Sequence, residues 1–163
     1  MAAGARGVLS STASVTGNEP DPVAANDSDT GTALVSMPTQ FFATTPCRVV
    51  DTRAGSAAPI GGPALIARLT RRFTLAGHCG IPSSAQAVAL DVTGTEAGAA
   101  GNLRLFPAGL SVPLFTVVSY REGETSGSNT VVALSADGEI AAYVTQAART
   151  KVHVIIDVSG YFE

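Results

Sequence analysis

The sequence predicts an all-β fold, an antiparallel β-sandwich of jelly-roll or Ig-like type preceded by an extended N-terminal arm. Three observations lead there. From Gln40 onward apolar and polar residues alternate with a period close to two, and turn residues recur about every 8 to 12 positions. Nothing in that region carries a 3.6-residue apolar stripe over three helical turns, so a packed helix is not expected.

Taken in order, residues 1–38 form the arm. The stretch "SSTASVTGNEPDPVAANDSDTGTALVSMP" is rich in Ser, Thr, Asn, Asp and Pro and poor in large apolar groups, so alone it does not offset its ordering entropy. Within it "GVLSSTASV" and "GTALVSM" are β-permissive and free of proline, which suits a segment added to a sheet edge of the same chain or of a neighbour. The alternative is a plain linker.

Residues 39–163 form the sandwich domain. Its first strand is expected at "CRVVDTR", with Arg48, Val50 and Thr52 on one face and Cys47, Val49, Asp51 and Arg53 on the other. "RRFTLAG" follows, then at most a single helical turn near "PSSAQA". In "AVALDVTG", Val88, Leu90 and Val92 share a face opposite Ala89, Asp91 and Thr93. "GNLRLFPAG" and "PLFTVVSY" read as strands. Asp137-Gly138 is a hairpin signal between "NTVVALS" and "EIAAYVTQ". The chain closes on "KVHVIIDVSGYF", with Val152, Val154, Ile156 and Val158 on one face and His153, Ile155 and Asp157 on the other.

Composition narrows the function classes. The chain has 163 residues and a net charge of −3. With a pI near 5.3 it offers no basic footprint for nucleic acid or an anionic membrane. Charged residues make up 14%, against an average of about 25%, the economy of a secreted β protein more than of a cytosolic enzyme. No run reaches the roughly 18 to 20 apolar residues of a membrane helix. The first residues lack the apolar core of a signal peptide, so either a leader is absent from this numbering or export takes another route.

Cys47 and Cys79 sit in no zinc or thioredoxin spacing. One disulfide between them is expected, which points to an oxidising compartment. The alternative is two unpaired cysteines packed as small apolar side chains.

The motifs "TPCRVVDTR", "GHCGIPSSAQAVALDVTG", "GNLRLFPAG", "SNTVVALSADGEIAAYV" and "VHVIIDVSGYFE", in that order, resemble a family of exported bacterial β-sandwich domains found notably in actinobacteria and acidobacteria. The resemblance spans about residues 40 to 163. It implies an extracellular or cell-surface accessory domain and supplies no catalytic residues. Asp91 stands where that family usually has asparagine, and "FTVVSY" departs from its usual strand.

No catalytic set is legible. Asp51 beside arginine is a poor general base, and the expectation for Arg48, Asp51, Arg53 and Asp157 is a structural ion-pair group that ties the first strand to a loop or to the C-terminal strand. A nucleophile elbow is missing, and His78 and His153 are expected in a turn and on a strand. Glu96, Glu122, Glu124 and Glu139 fall in or beside turns as solvated charge, without the flanking pair that glycoside cleavage needs. Asp27 and Asp29 lack the rest of a calcium loop, and Asn26-Asp27-Ser28 spells a glycosylation acceptor. No metal site or cofactor is expected. Tyr120 and Tyr143 are the candidate platform for a surface polysaccharide, although the chain has no tryptophan. The function expected is a non-enzymatic structural protein that is secreted or on the cell surface. Its partners are further copies, as an oligomer or filament. The alternative is a carbohydrate-binding or adhesion module.

Overall fold

The computed structural model describes residues 7–35 and 39–163. The chain divides into two compact units, Met1–Thr39 and Gln40–Glu163. In the first, β1 (Gly7–Ser14) and β2 (Ser28–Val35) pair antiparallel from Gly7 opposite Val35 to Ser14 opposite Ser28. The two segments expected to extend along a sheet edge thus pair with each other, as a two-stranded ribbon. Residues 36–38, including the end of "GTALVSM", lie outside the described residues. Every described side chain of both strands is exposed, and Thr12 and Thr30 bond across the ribbon at 2.8 Å. The connecting loop holds a single 3-10 turn, Ala24–Asn26.

The second unit holds β3 (Phe41–Asp51), β4 (Leu65–Ile66), β5 (Thr70–Thr74), β6 (Ala87–Thr95), β7 (Gly101–Pro107), β8 (Val118–Tyr120), β9 (Ser126–Ala133), β10 (Glu139–Gln146) and β11 (Lys151–Phe162). They form two antiparallel sheets. One has the order β5-β10-β7-β8; the other has β3-β11-β6-β9, with β4 extending the β3 side of β11. The all-β sandwich expected from the alternation is therefore the fold.

The core explains the order. Val152, Val154, Ile156 and Val158 of β11 are fully buried, as are Val88, Leu90 and Val92 of β6 to within 2%. From the other sheet Phe73, Leu103, Leu105, Ile140, Ala142 and Val144 complete one cluster. Each such aliphatic side chain contributes roughly 1.5 to 3 kcal/mol by leaving water.

Two expectations need correction. The Asp137-Gly138 turn forms, with Gly138 at φ 72° and its amide bonded to the Ser135 carbonyl at 2.9 Å. It does not close a hairpin: β9 pairs with β6, and β10 with β5 and β7 in the other sheet. The local signal fixes the reversal, while burial of each strand's apolar face picks the ladder. In "PLFTVVSY" only Val118–Tyr120 is strand. Pro113 offers no ladder donor, and Leu114 is 92% exposed, so residues 108–117 run as a loop.

Cys47 on β3 and Cys79 in the turn after β5 are disulfide-bonded, Cα atoms 5.7 Å apart and 32 residues apart in sequence. The bridge ties one sheet to the end of a strand in the other. At the closing motif, Gly160 faces Phe41 so closely that a Cβ would run into the ring and lie 2.6 Å from the Phe42 carbonyl oxygen. The absent side chain lets Phe41 pack on Phe162 and Phe42 stack on Tyr161, ring centres 5.0 and 5.3 Å apart.

Replacing both cysteines by alanine is expected to cost about 3 to 4 kcal/mol, from loop-closure entropy, in urea unfolding. Gly160→Val is expected to cost at least as much as a single overpacked core site, about 1 to 3 kcal/mol, in the same assay.

Candidate functional site

The polar residues of "CRVVDTR" gather where β3 meets β11, and the local backbone decides how. Val50 lies opposite Ile156 and Arg48 opposite Asp157, so Val49 is one residue too many and β3 bulges there. The bulge overturns the simple alternation. Arg48, expected on the face opposite Asp51, turns to the same face, because the register opposite it moves from the even to the odd positions of β11. Val49, expected beside Asp51, and Val50 are both fully buried.

Asp51 is 2% exposed, and its carboxylate is fully engaged. The Arg53 guanidinium donates to both oxygens, Nε to Oδ1 at 3.0 Å and Nη2 to Oδ2 at 2.7 Å, and the Arg53 amide adds a bond to Oδ1 at 3.1 Å. Arg48 Nη1 stands 3.7 Å from Oδ2. Arg48 spends its own fork on Asp157, at 2.9 and 3.0 Å. The expected group of Arg48, Asp51, Arg53 and Asp157 is thus assembled as two bidentate pairs joined by a longer contact. Its link to the C-terminal strand runs through Arg48. The bonds from Arg53 hold the Asp51 carboxyl down at about 2, against the opposing pull of its burial.

Thr52, to which the alternation assigns a face but no role, is the next link. Its hydroxyl oxygen accepts the Val154 amide at 2.8 Å, and its amide donates to the Val154 carbonyl at 3.0 Å. The same hydroxyl is hydrogen-bonded to His153 Nδ1, 3.1 Å away, and His153 Nε2 faces Glu96 Oε2 at 3.9 Å. Asp51, Arg53, Glu96 and His153, with Gly55 and Ser56, line an open cleft of about 450 Å³.

The geometry limits what the cleft does. Thr52 is 1% exposed and its oxygen is already occupied by a backbone amide, so it presents no nucleophile. Asp51 stays ionised at neutral pH and its oxygens are spent on arginine. Ser56 Oγ accepts the Ala58 amide at 3.1 Å. His78 lies in the turn that carries Cys79, its amide bonded to the Leu75 carbonyl, and does not line the cleft. Glu96, Glu122 and Glu124 are exposed, while Glu139 accepts the Thr74 hydroxyl at 3.0 Å. Asp29 accepts the Thr30 amide at 2.9 Å, and the described residues contain no group of three metal-ligating side chains.

Tyr120 and Tyr143 do not form a platform. Tyr120 is 4% exposed and points into the core, its hydroxyl donating to Gln146 Oε1 at 2.7 Å. Burial raises that hydroxyl to about 12. Gly94 lets the ring in: a Cβ there would lie 3.0 Å from the ring. Tyr143 is three residues from Gln146 on β10, hence on the opposite face of the sheet. Arg71 is a second residue the sequence reading missed. It donates to the Gly61, Gly62 and Pro63 carbonyls and covers the Phe73 ring at 4.8 Å. Its one signal is an arginine in a strand beside a glycine-proline loop.

Neither a protein-family model nor a curated protein sequence matches this chain.

Asp51→Asn is expected to cost about 2 kcal/mol at pH 7. The ordinary carboxyl titrates near 3.8 and the native one near 2. As pH falls through that interval the unfolded chain takes up a proton that the native state does not, so stability drops. Urea midpoints measured between pH 5 and about 2 should show that slope in the parent and a shallower one in the variant.

Proposed function

We propose that this is a non-enzymatic structural protein of the cell exterior that self-associates, as a surface or filament subunit, through its N-terminal hairpin. The observation that carries this reading is the hairpin's exposure. An isolated two-stranded ribbon is marginal in water, and here every described side chain of β1 and β2 faces solvent. Among the described residues neither strand has a third neighbour, so each offers a row of free backbone donors and acceptors. Such an edge joins subunits by main-chain pairing and needs no special side chain.

The rest of the chain supports the same reading. The disulfide fits an oxidising compartment. Arg48, Asp51, Arg53 and Asp157 are spent on one another, and the Arg48–Asp157 pair fastens the first strand of the sandwich to its last. The resemblance to exported bacterial surface domains points to the same location.

Removal of residues 1–38 tests it. Light scattering on the purified full chain should give assemblies, and the truncated chain, with unchanged circular dichroism of the sandwich, should give the monomer mass. Assemblies of unchanged size after truncation would refute the role of the arm.

A further inference from the structure

The sandwich has four strand edges, and three of them are unsuited to accept another strand. β5 reads Thr-Arg-Arg-Phe-Thr, with Arg71 and Arg72 on five residues, and charged edges repel an incoming strand. β8 has three residues. β3 contains Pro46, which has no amide to offer, and its far end is already taken: Ile60 bonds Val49 and Asp51 at 3.1 and 3.0 Å.

The fourth edge, β9, has none of these defences. Its eight residues, Ser-Gly-Ser-Asn-Thr-Val-Val-Ala, carry no charge and no proline, and β6 is its one partner among the described residues. Val131 is 57% exposed on it. β8 leads into β9 through residues 121–125, so the two edges lie on one side of the sandwich, each at the rim of its own sheet. The loop that feeds β8 continues the β8 edge, its Val117 amide bonded to the Leu103 carbonyl of β7 at 2.9 Å. It exposes Leu110, Leu114 and Phe115, 65%, 92% and 55% accessible, and Arg104 steadies it by donating to the Pro113 carbonyl at 2.9 Å. From Leu105 to Tyr120 there is no charged residue.

We propose that β9, on the same side of the sandwich as β8, is the edge that receives the N-terminal hairpin of a second copy, with β1 as the incoming strand. The inference rests on the hairpin-mediated assembly proposed above and names its acceptor. β1 matches β9 in length, eight residues each, and it too carries no charge, whereas β2 contains Asp29. Val8, 67% exposed, is an apolar group for the contact to cover. Donor and acceptor are different surfaces of one chain, so each copy uses both and the contact propagates head to tail.

Two experiments on the full chain decide it. In the first, N129K/V131K places two charges on exposed positions of β9. Light scattering should show association weakened at least tenfold, with circular dichroism unchanged. In the second, copies carrying Ser10→Cys are mixed with copies carrying Asn129→Cys under mild oxidant. The native cysteines are already paired, so a covalent dimer on a non-reducing gel reports the new contact. A dimer only in the mixture supports the proposal, including where the lysine variant fails to fold. Absence of that dimer, together with parent-like assembly of N129K/V131K, overturns it. Loss of assembly on removing residues 1–38 would in that case keep the hairpin's role and move its acceptor elsewhere; retained assembly would remove both.

Discussion

One surplus residue, Val49, governs how the sandwich unit is closed. By standing two residues of β3 against one of β11 it brings Arg48 and Asp51 to a single face, where Asp157 and Arg53 complete two bidentate pairs. Without the bulge Arg48 would point to the face away from Asp51, leaving a nearly buried carboxylate with one arginine and β3 without its charged tie to β11. The bulge also lies two residues from Cys47, so a covalent bond and two ion pairs fix the same short stretch. The exposed Arg48–Asp157 pair adds little net energy, whereas loss of Arg53 would strand the buried Asp51 carboxylate. Their effect is on register: only one alignment of β3 on β11 satisfies all four groups.

That register matters because β3 and β11 are the first and last strands of their unit. Gln40 and Glu163 exchange both backbone bonds at 2.8 and 3.0 Å, which closes the ladder at its end. Nearly every other strand pairing in the sandwich also joins segments distant in sequence, a topology that folds slowly because loop closure precedes its reward. The sandwich is therefore held together by pairings between segments far apart in sequence, from its first strand to its last.

The parts of this structure legible in the sequence are those set by local period. Val88, Leu90 and Val92, and Val152, Val154, Ile156 and Val158, point inward as their alternation requires, and Cys47 and Cys79, the sole cysteines, are paired. What escaped the sequence depends on distant partners. The bulge at Val49 exists because of the register that β11 imposes, so no window around residue 49 contains it. Tyr120 looked available as a surface ring because a β8 position reads alike on either face, and only Gly94 and Gln146, far away in sequence, draw it inward. Asp137-Gly138 turned the chain as expected, but which sheet the next strand joins was decided by β5 and β7.

Arg71 has a consequence for how the protein withstands its surroundings. The connection from β3 to β4 spans residues 52–64 and is rich in Ala, Gly, Ser and Pro, the composition that proteases cut most readily. A protease must draw a run of backbone into its own groove, carbonyls first. Here three successive carbonyls are gripped by one guanidinium and Ile60 is stitched to β3, so the tether yields only when a larger part of the fold opens. Durability of this exposed strap is thereby set by the stability of the whole sandwich.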